Sequence, residues 1–207
     1  MMALGTLLRK PPPPPGGCRA FWGWLNAVFN KVDHERIRAV GPDRAASEWL
    51  LRCGALVRYQ GSPKWQQDYN GLPTGPLGKY KIEAINATDS CIMYRGFDYL
   101  DGLEHVTDIK LEKCMYIQDE CLQRLSETSN LQKSLQQLKI ISCGNVTDKG
   151  ILALHKLTYV SCRALPQHPA PGSLALWWVE GLQSHCFRAV SDLWGCGVAG
   201  FGSRISN

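Results

Sequence analysis

Apolar residues between positions 21 and 40 recur at the 3.6-residue period of an amphipathic helix. The predicted buried face consists of Leu25, Val28, Phe29, Val32, Ile37 and Val40, and the opposite face of Asn30, Lys31, Asp33, Glu35 and Arg36. The Gly-Pro-Asp sequence at 41–43 predicts the end of this helix and the start of a second one, with Asp43 as its N-cap. Gly54 predicts the end of the second helix. The pattern therefore predicts a small α-rich domain over residues 21–61.

Two shorter segments follow these helices. Residues 55–61 (ALVRYQG) predict a short strand, and residues 70–78 (NGLPTGPLG) predict a connector, because glycine and proline favour turns. Beyond position 80 the spacing of apolar residues changes again, and the chain begins to repeat itself.

The segments 109–125 and 138–154 match at an offset of 29 residues. The matched pairs are Leu111 with Ile140, Cys114 with Cys143, Ile117 with Val146, Asp119 with Asp148, Leu122 with Ile151, and Leu125 with Leu154. A fainter copy spans 82–106 and places Ile85 at about the position of Leu111. An L-x-L strand, a cysteine and an amphipathic helix in each unit are typical of leucine-rich repeats.

This pattern predicts an α/β protein: a small α-rich N-terminal domain, then a short cysteine-containing leucine-rich-repeat solenoid over residues 62–157. Asp119 and Asp148 are predicted at or near the starts of the two helices. Cys114 and Cys143 are predicted to be small buried groups where each strand turns outward. A redox pair between them is the alternative, because neighbouring strands lie about 4.8 Å apart.

Both ends of the chain differ in composition from this central part. Residues 1–20 are basic, and the first acidic residue is Asp33, so we expect a mitochondrial transit leader. Pro11 to Pro15 cannot be helical, which argues against an amphipathic helix there, so a disordered leader without a targeting role is the alternative. Residues 158–207 lose the repeat and are predicted to be a poorly ordered tail; a membrane-contacting tail through 174–179 is the alternative. Because a solenoid needs a terminal cap, we expect the face carrying Ile140, Ile151 and Leu154 to lack its proper cover.

Composition and charge exclude several classes of function. The formal net charge of +5 is spread over the chain without a basic block, which argues against nucleic acid binding. Nine cysteines without close pairing indicate thiols in a reducing compartment. The five histidines are scattered, and no catalytic triad, phosphate loop or metal-binding spacing is present, so we expect no enzyme activity.

Trp22 and Trp24 open the first predicted helix. Indole rings favour boundaries between apolar and aqueous phases, so these residues predict either a foot that rests on a membrane or partner, or a cap on a small core. The mixed charge of the helix favours the core cap.

Several stretches resemble the mitochondrial ATP synthase coupling factor B family, which is related to distal membrane arm assembly component 2. They are FWGWLNAVFNKVDHERIRAVGPDRAASEWLLRCGALVRY, LPTGPL, YKIEAINATDSCIM, GFDYLDGLEHV and IISCGNVTDKGI. The resemblance covers residues 21–157 and implies a non-enzymatic subunit on the matrix side of the mitochondrial inner membrane. Such a protein would associate peripherally with the membrane sector or stalk of ATP synthase and limit proton leak. The resemblance also implies Mg²⁺ held by main-chain groups near Ala39 and Pro73.

The chain departs from that family at two places. A Cys-x-Cys of the family would fall on positions 112 and 114, but Glu112 stands here, so a vicinal dithiol cannot form. The C-terminal residues 158–207 replace a further repeat. A related protein is an assembly factor, so an assembly adaptor for respiratory-chain complexes is the alternative function.

Solenoids bind partners through their concave strand face. The strand residues predicted to form this partner surface are Glu83, Asn86, Lys110, Glu112, Lys139 and Ser142.

Overall fold

The computed structural model describes residues 17–157 and the strands at 161–165 and 177–179. The protein is a mixed α/β fold in these ranges. The α-helices are α1 (Gly17–Phe29), α2 (His34–Val40), α3 (Pro42–Arg52), α4 (Asp119–Glu127), α5 (Ser129–Ser134) and α6 (Asp148–Ala153), with 3-10 helices at Tyr94–Leu100 and Leu154–Lys156. The strands are β1 (Leu56–Tyr59), β2 (Trp65–Gln66), β3 (Ile82–Thr88), β4 (Asp108–Glu112), β5 (Gln137–Ile141), β6 (Ser161–Leu165) and β7 (Trp177–Val179).

The strands in these ranges form one sheet in the order β2–β1–β3–β4–β5–β6–β7. Strands β3 to β6 are parallel, and β1 and β7 pair antiparallel at either side of them. Since parallel strands need a crossover, helical segments connect β3 to β4 and β4 to β5. Apolar residues of β3, β4 and β5 occupy one register row of Ile85, Ile109 and Leu138, all buried.

The predicted offset of 29 residues between two segments is confirmed, because Leu111 of β4 pairs with Ile140 of β5. The position predicted for the fainter copy was wrong by two residues. Ala87 pairs with Leu111, while Ile85 pairs with Ile109. The offset between β3 and β4 is 24 positions along the whole pairing, shorter than the 29 between β4 and β5. The offset of the two stronger copies therefore does not transfer to the first one.

The predicted single helix over 21–40 is two helices. The chain leaves α1 after Phe29, and α2 begins after Asp33, whose Oδ1 accepts a hydrogen bond from the Arg36 main-chain N–H at 2.9 Å. Asn30 was predicted to face solvent but is fully buried. Its Oδ1 accepts hydrogen bonds from Trp49 Nε1 at 3.1 Å and from the Met93 main-chain N–H at 2.8 Å. These partners stabilise the break between the helices.

Asp43 is not the N-cap of α3. The N-cap is Gly41, with a φ of +83°, and Pro42 takes the first helical position. The buried Asp43 carboxylate instead accepts hydrogen bonds from Lys81 Nζ and the Ile82 main-chain N–H, each at 3.0 Å. It therefore joins the start of α3 to the start of β3. The predicted end of α3 is confirmed, since Gly54 follows the helix with a φ of +83°.

One hydrophobic core runs from α3 to the second repeat. Trp49 of α3 stacks on Tyr99 with ring centroids 5.4 Å apart and meets the edge of Phe97 at 6.4 Å. Both partners lie beyond residue 61, the boundary predicted from the sequence. The N-terminal helices and the parallel strands thus share buried side chains.

Helices α4 and α6 lie against each other through Asp119 and Gly150. Asp119 accepts hydrogen bonds from the Thr147 main-chain N–H at 2.8 Å and from Thr147 Oγ1 at 2.6 Å. Thr147 is the N-cap of α6. The first residue of one helix therefore binds the start of the next, which links the two sequence repeats.

The prediction of a poorly ordered tail over 158–207 lies mostly outside the described residues. Within that segment, the backbone of β6 pairs in parallel with β5, with Ala164 opposite Ile140. Strand β7 pairs antiparallel with β6. These strands were not predicted, because β6 follows β5 after 24 positions rather than 29. The face carrying Ile140, Ile151 and Leu154 was expected to lack its proper cover. Ile140 and Leu154 are buried and Ile151 is half-buried, and β6 lies beside β5.

Across the described part of the chain, no helix combines the length and apolar character needed to span a bilayer.

Candidate functional site

The half-buried face of the sheet brings together five of the six residues predicted as a partner surface, all except Ser142. Asn86, Lys110 and Lys139 occupy one register row across β3, β4 and β5. Glu112 lies two residues along β4 from Lys110, and Leu111 between them is buried. The same row continues to the position of Arg163 in β6. The backbone therefore aligns three basic positions on adjacent strands, Lys110, Lys139 and Arg163.

Ion pairs order the remaining charges of this face. Lys110 Nζ lies 2.5 Å from Glu112 Oε2, and this hydrogen bond holds the pKa of Glu112 below its usual value. Near the starts of β3 and β4, Arg58 Nε lies 3.2 Å from Glu83 Oε2, and Arg58 Nη2 lies 3.9 Å from Asp108 Oδ2. Glu83 is therefore part of the same face, held there by Arg58.

Ser142 lies just beyond β5, where the chain leaves the sheet. Its φ of 54° matches the values of 52° at Asp89 and 53° at Lys113, which follow β3 and β4. The Asp89 and Lys113 N–H groups each donate a hydrogen bond of 2.9 Å to the last residue of the next strand. Ser142 thus belongs to a repeated left-handed turn at the end of the sheet rather than to the register row of Lys110 and Lys139.

Cys114 and Cys143 follow two of these turns and are buried. The Cys114 thiol donates a hydrogen bond to the Ala87 carbonyl at 2.8 Å, and the Cys143 thiol donates to the Leu111 carbonyl at 3.6 Å. The two thiols lie side by side; the Cys143 thiol lowers the pKa of Cys114 although burial opposes it, and the Cys114 thiol together with burial raises the pKa of Cys143. Each thiol therefore binds the strand before it, and each is enclosed by protein.

The aromatic residues of α1 form an exposed cluster. Trp22 is 59% exposed and Trp24 is 62% exposed, and the Phe21 ring lies 6.0 Å from Trp22 and 6.2 Å from Trp24. The favoured interpretation of Trp22 and Trp24 as a core cap was wrong. Helix α1 contacts the core at its C-terminal end, through Phe29 and the following Asn30. The apolar side chains nearer its start are therefore left exposed. Val28, predicted to be buried, is also exposed.

Ala39 and Pro73, the positions implied for Mg²⁺, both line a cavity of about 270 Å³ between α2, α3 and the 70–78 connector. The Pro73 carbonyl already accepts a hydrogen bond from Arg44 Nη1 at 2.7 Å. Arg36 and Lys81 line the same cavity. Magnesium prefers oxygen ligands that include a carboxylate, and the lining carboxylate of Asp43 is bound by Lys81.

These residues do not fit a magnesium ion, since Arg44 binds the Pro73 carbonyl and Lys81 binds the Asp43 carboxylate. Among the described residues, no group of three or more histidine, cysteine, aspartate or glutamate side chains is placed to hold a metal. The lining of the cavity therefore disagrees with the metal site that the resemblance implies.

Glu48 beside this cavity is buried and joins two arginines. Its carboxylate lies 2.8 Å from Arg36 Nη2 and 3.0 Å from Arg44 Nε. Burial pulls the pKa of Glu48 upward, but the hydrogen bonds from Arg36 and then Arg44 outweigh it, so this pKa lies below the ordinary value of 4.5. A lowered folded-state pKa stabilises the protein above the unfolded-state pKa, and that contribution is lost as pH falls through the folded-state value.

Replacing Glu48 with glutamine is expected to lower the free energy of unfolding at pH 7 by about 1 kcal/mol, a small value because both arginines are partly exposed. The difference from the unsubstituted protein should shrink below about pH 4.5 and vanish in stronger acid. Urea unfolding at several pH values measures this. Glu35→Gln on exposed α2 is the control. A difference that is constant over the pH range would contradict the assignment.

Comparison with known proteins decides the family. No family model matches the chain. The chain is 69% identical over 151 residues to "ATP synthase subunit s, mitochondrial" from Bos taurus, which covers 72% of this chain and 76% of the bovine protein. The human protein of the same name is 71% identical over 139 residues, 67% of this chain and 70% of that protein. This chain belongs to the family of mitochondrial ATP synthase subunit s. The resemblance to coupling factor B is thereby confirmed.

A more distant relative of the subunit s family has a different name. "Distal membrane arm assembly component 2" from Drosophila melanogaster is 25% identical over 126 residues, 59% of this chain and 43% of that protein. This likeness is much weaker than that to the mammalian proteins.

Sequence reasoning missed some of the residues that shape these surfaces. Arg58 joins Glu83 to Asp108, and its alternation with the buried Val57 and Tyr59 in β1 was the signal that could have placed it on the open face. Cys53 and Cys91 come together across 38 positions, and no local pattern indicates that pairing.

Proposed function

We propose that the chain is a non-enzymatic coupling subunit of mitochondrial ATP synthase. Its identity of 69% to the bovine protein named as a subunit of that complex is the observation that carries the proposal. The subunit binds other synthase subunits on the matrix side of the inner membrane, at the membrane sector or stalk. By that binding it limits proton leak and supports proton-coupled ATP synthesis.

The sheet face is the proposed partner surface. Asn86, Lys110, Lys139 and Glu112 are half-buried side chains that protrude from a rigid set of parallel strands. Lys110 is ion-paired to Glu112, whereas the Lys139 ammonium group has no carboxylate within ion-pair distance among residues 17–157. A partner segment with acidic side chains would complement this row, and such complementarity sets orientation and specificity.

The exposed aromatic cluster of Phe21, Trp22 and Trp24 supports peripheral association with the membrane. Aromatic side chains gain free energy at the bilayer interface, where the ring is apolar and the indole N–H remains hydrated. The cluster lies on a helix too short to cross the bilayer, so we infer that it rests on the surface.

The fold of the parallel part is proposed to be a short leucine-rich-repeat solenoid. Support comes from the equal register of Leu111 and Ile140, the recurring left-handed residue after each strand, and the helix starts at Asp119 and Asp148. In such a fold each unit buries its apolar face against the next.

Reversing two charges on the sheet face is expected to abolish binding to synthase. The tagged chain is used to capture proteins from detergent-solubilised mitochondrial inner membranes, and synthase subunits are quantified by mass spectrometry. The double variant Lys110→Glu, Lys139→Glu should retain less than about a tenth of the captured synthase, because like charges across an interface cost several kcal/mol. The matched control Lys133→Glu, Lys149→Glu changes the same charge on exposed residues outside the sheet face.

Three results of this capture experiment are decisive. Synthase capture that survives in the sheet-face variant and the control alike would contradict this surface. Failure of the unsubstituted chain to enrich synthase subunits would contradict the function itself. Enrichment of respiratory-complex assembly intermediates instead would favour the alternative, an assembly adaptor, to which the Drosophila relative's name points.

A further inference from the structure

Cys53 and Cys91 lie 38 positions apart in sequence and meet at the end of α3. Cys53 is the C-cap of that helix, and Cys91 lies in the loop that follows β3. The Cys91 main-chain N–H donates to the Cys53 carbonyl at 2.9 Å, and the Cys91 thiol donates to the same oxygen at 3.4 Å. A direct main-chain hydrogen bond keeps two backbone segments about 5 Å apart. Disulfides join cysteines whose Cα atoms lie about 4.4–6.8 Å apart, so the two residues are close enough for a disulfide.

The two thiols differ in access to solvent. Cys53 is buried, whereas Cys91 is half-buried. The Cys53 thiol hydrogen-bonds to the Cys91 sulfur, and this bond lowers the pKa of Cys91 to about 7, although burial opposes it. The same contact and burial raise the pKa of Cys53. Cys91 is thus the accessible nucleophile. The buried Cys53 is the resolving thiol, which attacks Cys91 in the second step.

We propose that Cys53 and Cys91 are a dithiol site that reacts with a low-molecular-weight disulfide such as glutathione disulfide and closes to an intramolecular disulfide. The Cys91 thiolate attacks one sulfur of the disulfide, forming a mixed disulfide and releasing one thiolate. Cys53 then loses its proton and attacks the Cys91 sulfur, releasing the second thiolate. The two protons of the cysteines end on the two released thiols. Two cysteine thiols are oxidised and one disulfide is reduced, so atoms and electrons balance.

The pair Cys114 and Cys143 provides an internal comparison. These thiols also contact each other, but Cys114 is 0% exposed and Cys143 is 8% exposed. Each is further engaged with a strand carbonyl. Thiol–disulfide exchange needs an attacking sulfur that the reagent can reach. Reaction at the 53–91 pair is therefore expected to precede reaction at the 114–143 pair.

The bond would fasten two parts of the fold. Cys53 ends α3, and Cys91 begins the segment that leads to Met93, whose N–H is held by the buried Asn30. Asn30 also donates from Nδ2 to the Cys91 carbonyl at 2.9 Å. Oxidation would close a covalent loop around β1, β2 and β3 and stabilise the joint between the N-terminal helices and the sheet.

The test is peptide mapping of the full chain after incubation with glutathione buffers of increasing disulfide content. Free thiols are alkylated, and the protein is cut with trypsin. Cleavage after Arg52, Arg58, Lys81 and Arg95 places Cys53 alone in peptide 53–58 and Cys91 alone in peptide 82–95. We expect these peptides to appear as one disulfide-linked species, lighter by two hydrogens than their sum. Peptides 114–124 and 140–149, which hold Cys114 and Cys143, should remain unlinked while the protein is folded.

Two variants and one physical measurement complete the test. Cys53→Ala should stop the reaction at a stable glutathione adduct on Cys91, and Cys91→Ser should abolish both species. The oxidised protein should melt several degrees higher than the reduced protein. If Cys53→Ala does not fold, the peptide map of the unsubstituted chain still decides. A folded protein in which Cys91 carries only glutathione, or in which 114–143 links first, would overturn the proposal.

Discussion

Replacing Trp49 with alanine is expected to lower the free energy of unfolding by about 3–5 kcal/mol, a loss typical of deleting a fully buried tryptophan. Trp49 is 1% exposed, stacks on Tyr99 and contacts the edge of Phe97. Alanine leaves a cavity between α3 and the 3-10 helix at Tyr94–Leu100. It also removes the hydrogen bond that Trp49 Nε1 donates to Asn30 Oδ1. The Met93 N–H then remains as a donor to this buried oxygen.

Urea unfolding followed by circular dichroism measures this effect. The matched control is Trp24→Ala, which removes an indole that is 62% exposed and should change stability by no more than about 0.5 kcal/mol. Because other buried residues of α3 share one core with the sheet, the variant should still unfold in a single transition. Equal losses at Trp24 and Trp49, or a separate early transition of the helices, would contradict the shared core.

The repeats were predictable because their spacing recurs in the sequence itself. The offset of 29 residues placed Leu111 opposite Ile140, and the acidic residue before each apolar run placed the starts of α4 and α6. Parallel strands in successive units must stack in register, so a sequence offset translates directly into a pairing. The fainter copy failed by two residues because β3 and β4 are offset by 24 positions, whereas matching Ile85 with Leu111 assumes 26.

The N-terminal part was less predictable, because tertiary contacts decide it. Helical periodicity continues through Asn30, yet helix α1 ends just before it. The Asn30 amide is buried there and binds Trp49 and Met93. Trp22 and Trp24 show the reverse error, since these apolar residues were predicted to be covered and are exposed. An apolar stripe indicates that a helix has a face to cover, but it does not indicate whether this chain or a partner covers it.

In the candidate site, too, local patterns predicted some residues and contacts between distant positions decided others. Alternation in β4 and the repeat offset were enough to place Lys110 and Lys139 in one row. Nothing local indicated that Arg58 would hold Glu83 to the same face, because that contact crosses 25 positions of sequence. The pairing of Cys53 with Cys91 also depends on how α3 meets the end of β3.

The second large effect is expected where α4 meets α6. An alanine Cβ at Gly150 would overlap Asp119 Oδ1 and lie 3.1 Å from the Asp119 Cα and Cγ atoms. Alanine is the better helix former, so propensity alone would make Gly150→Ala stabilising by about 1 kcal/mol. The overlap should reverse this sign and give a net loss of about 1–3 kcal/mol, because the Asp119 carboxylate is fixed by its hydrogen bonds to Thr147.

A double-mutant cycle tests that cause. Asp119→Ala alone should cost about 0.5–2 kcal/mol, since it removes the bonds that hold the start of α6. In that background Gly150→Ala should become nearly neutral, within about 0.5 kcal/mol, because Oδ1 and Cγ are gone and the remaining 3.1 Å approach to the Cα of residue 119 offsets the gain in helix propensity. Asp148→Ala, which removes an exposed carboxylate at the matching repeat position, should leave the cost of Gly150→Ala unchanged. Additive losses for Asp119 and Gly150 would show that these two repeats are not linked through this contact.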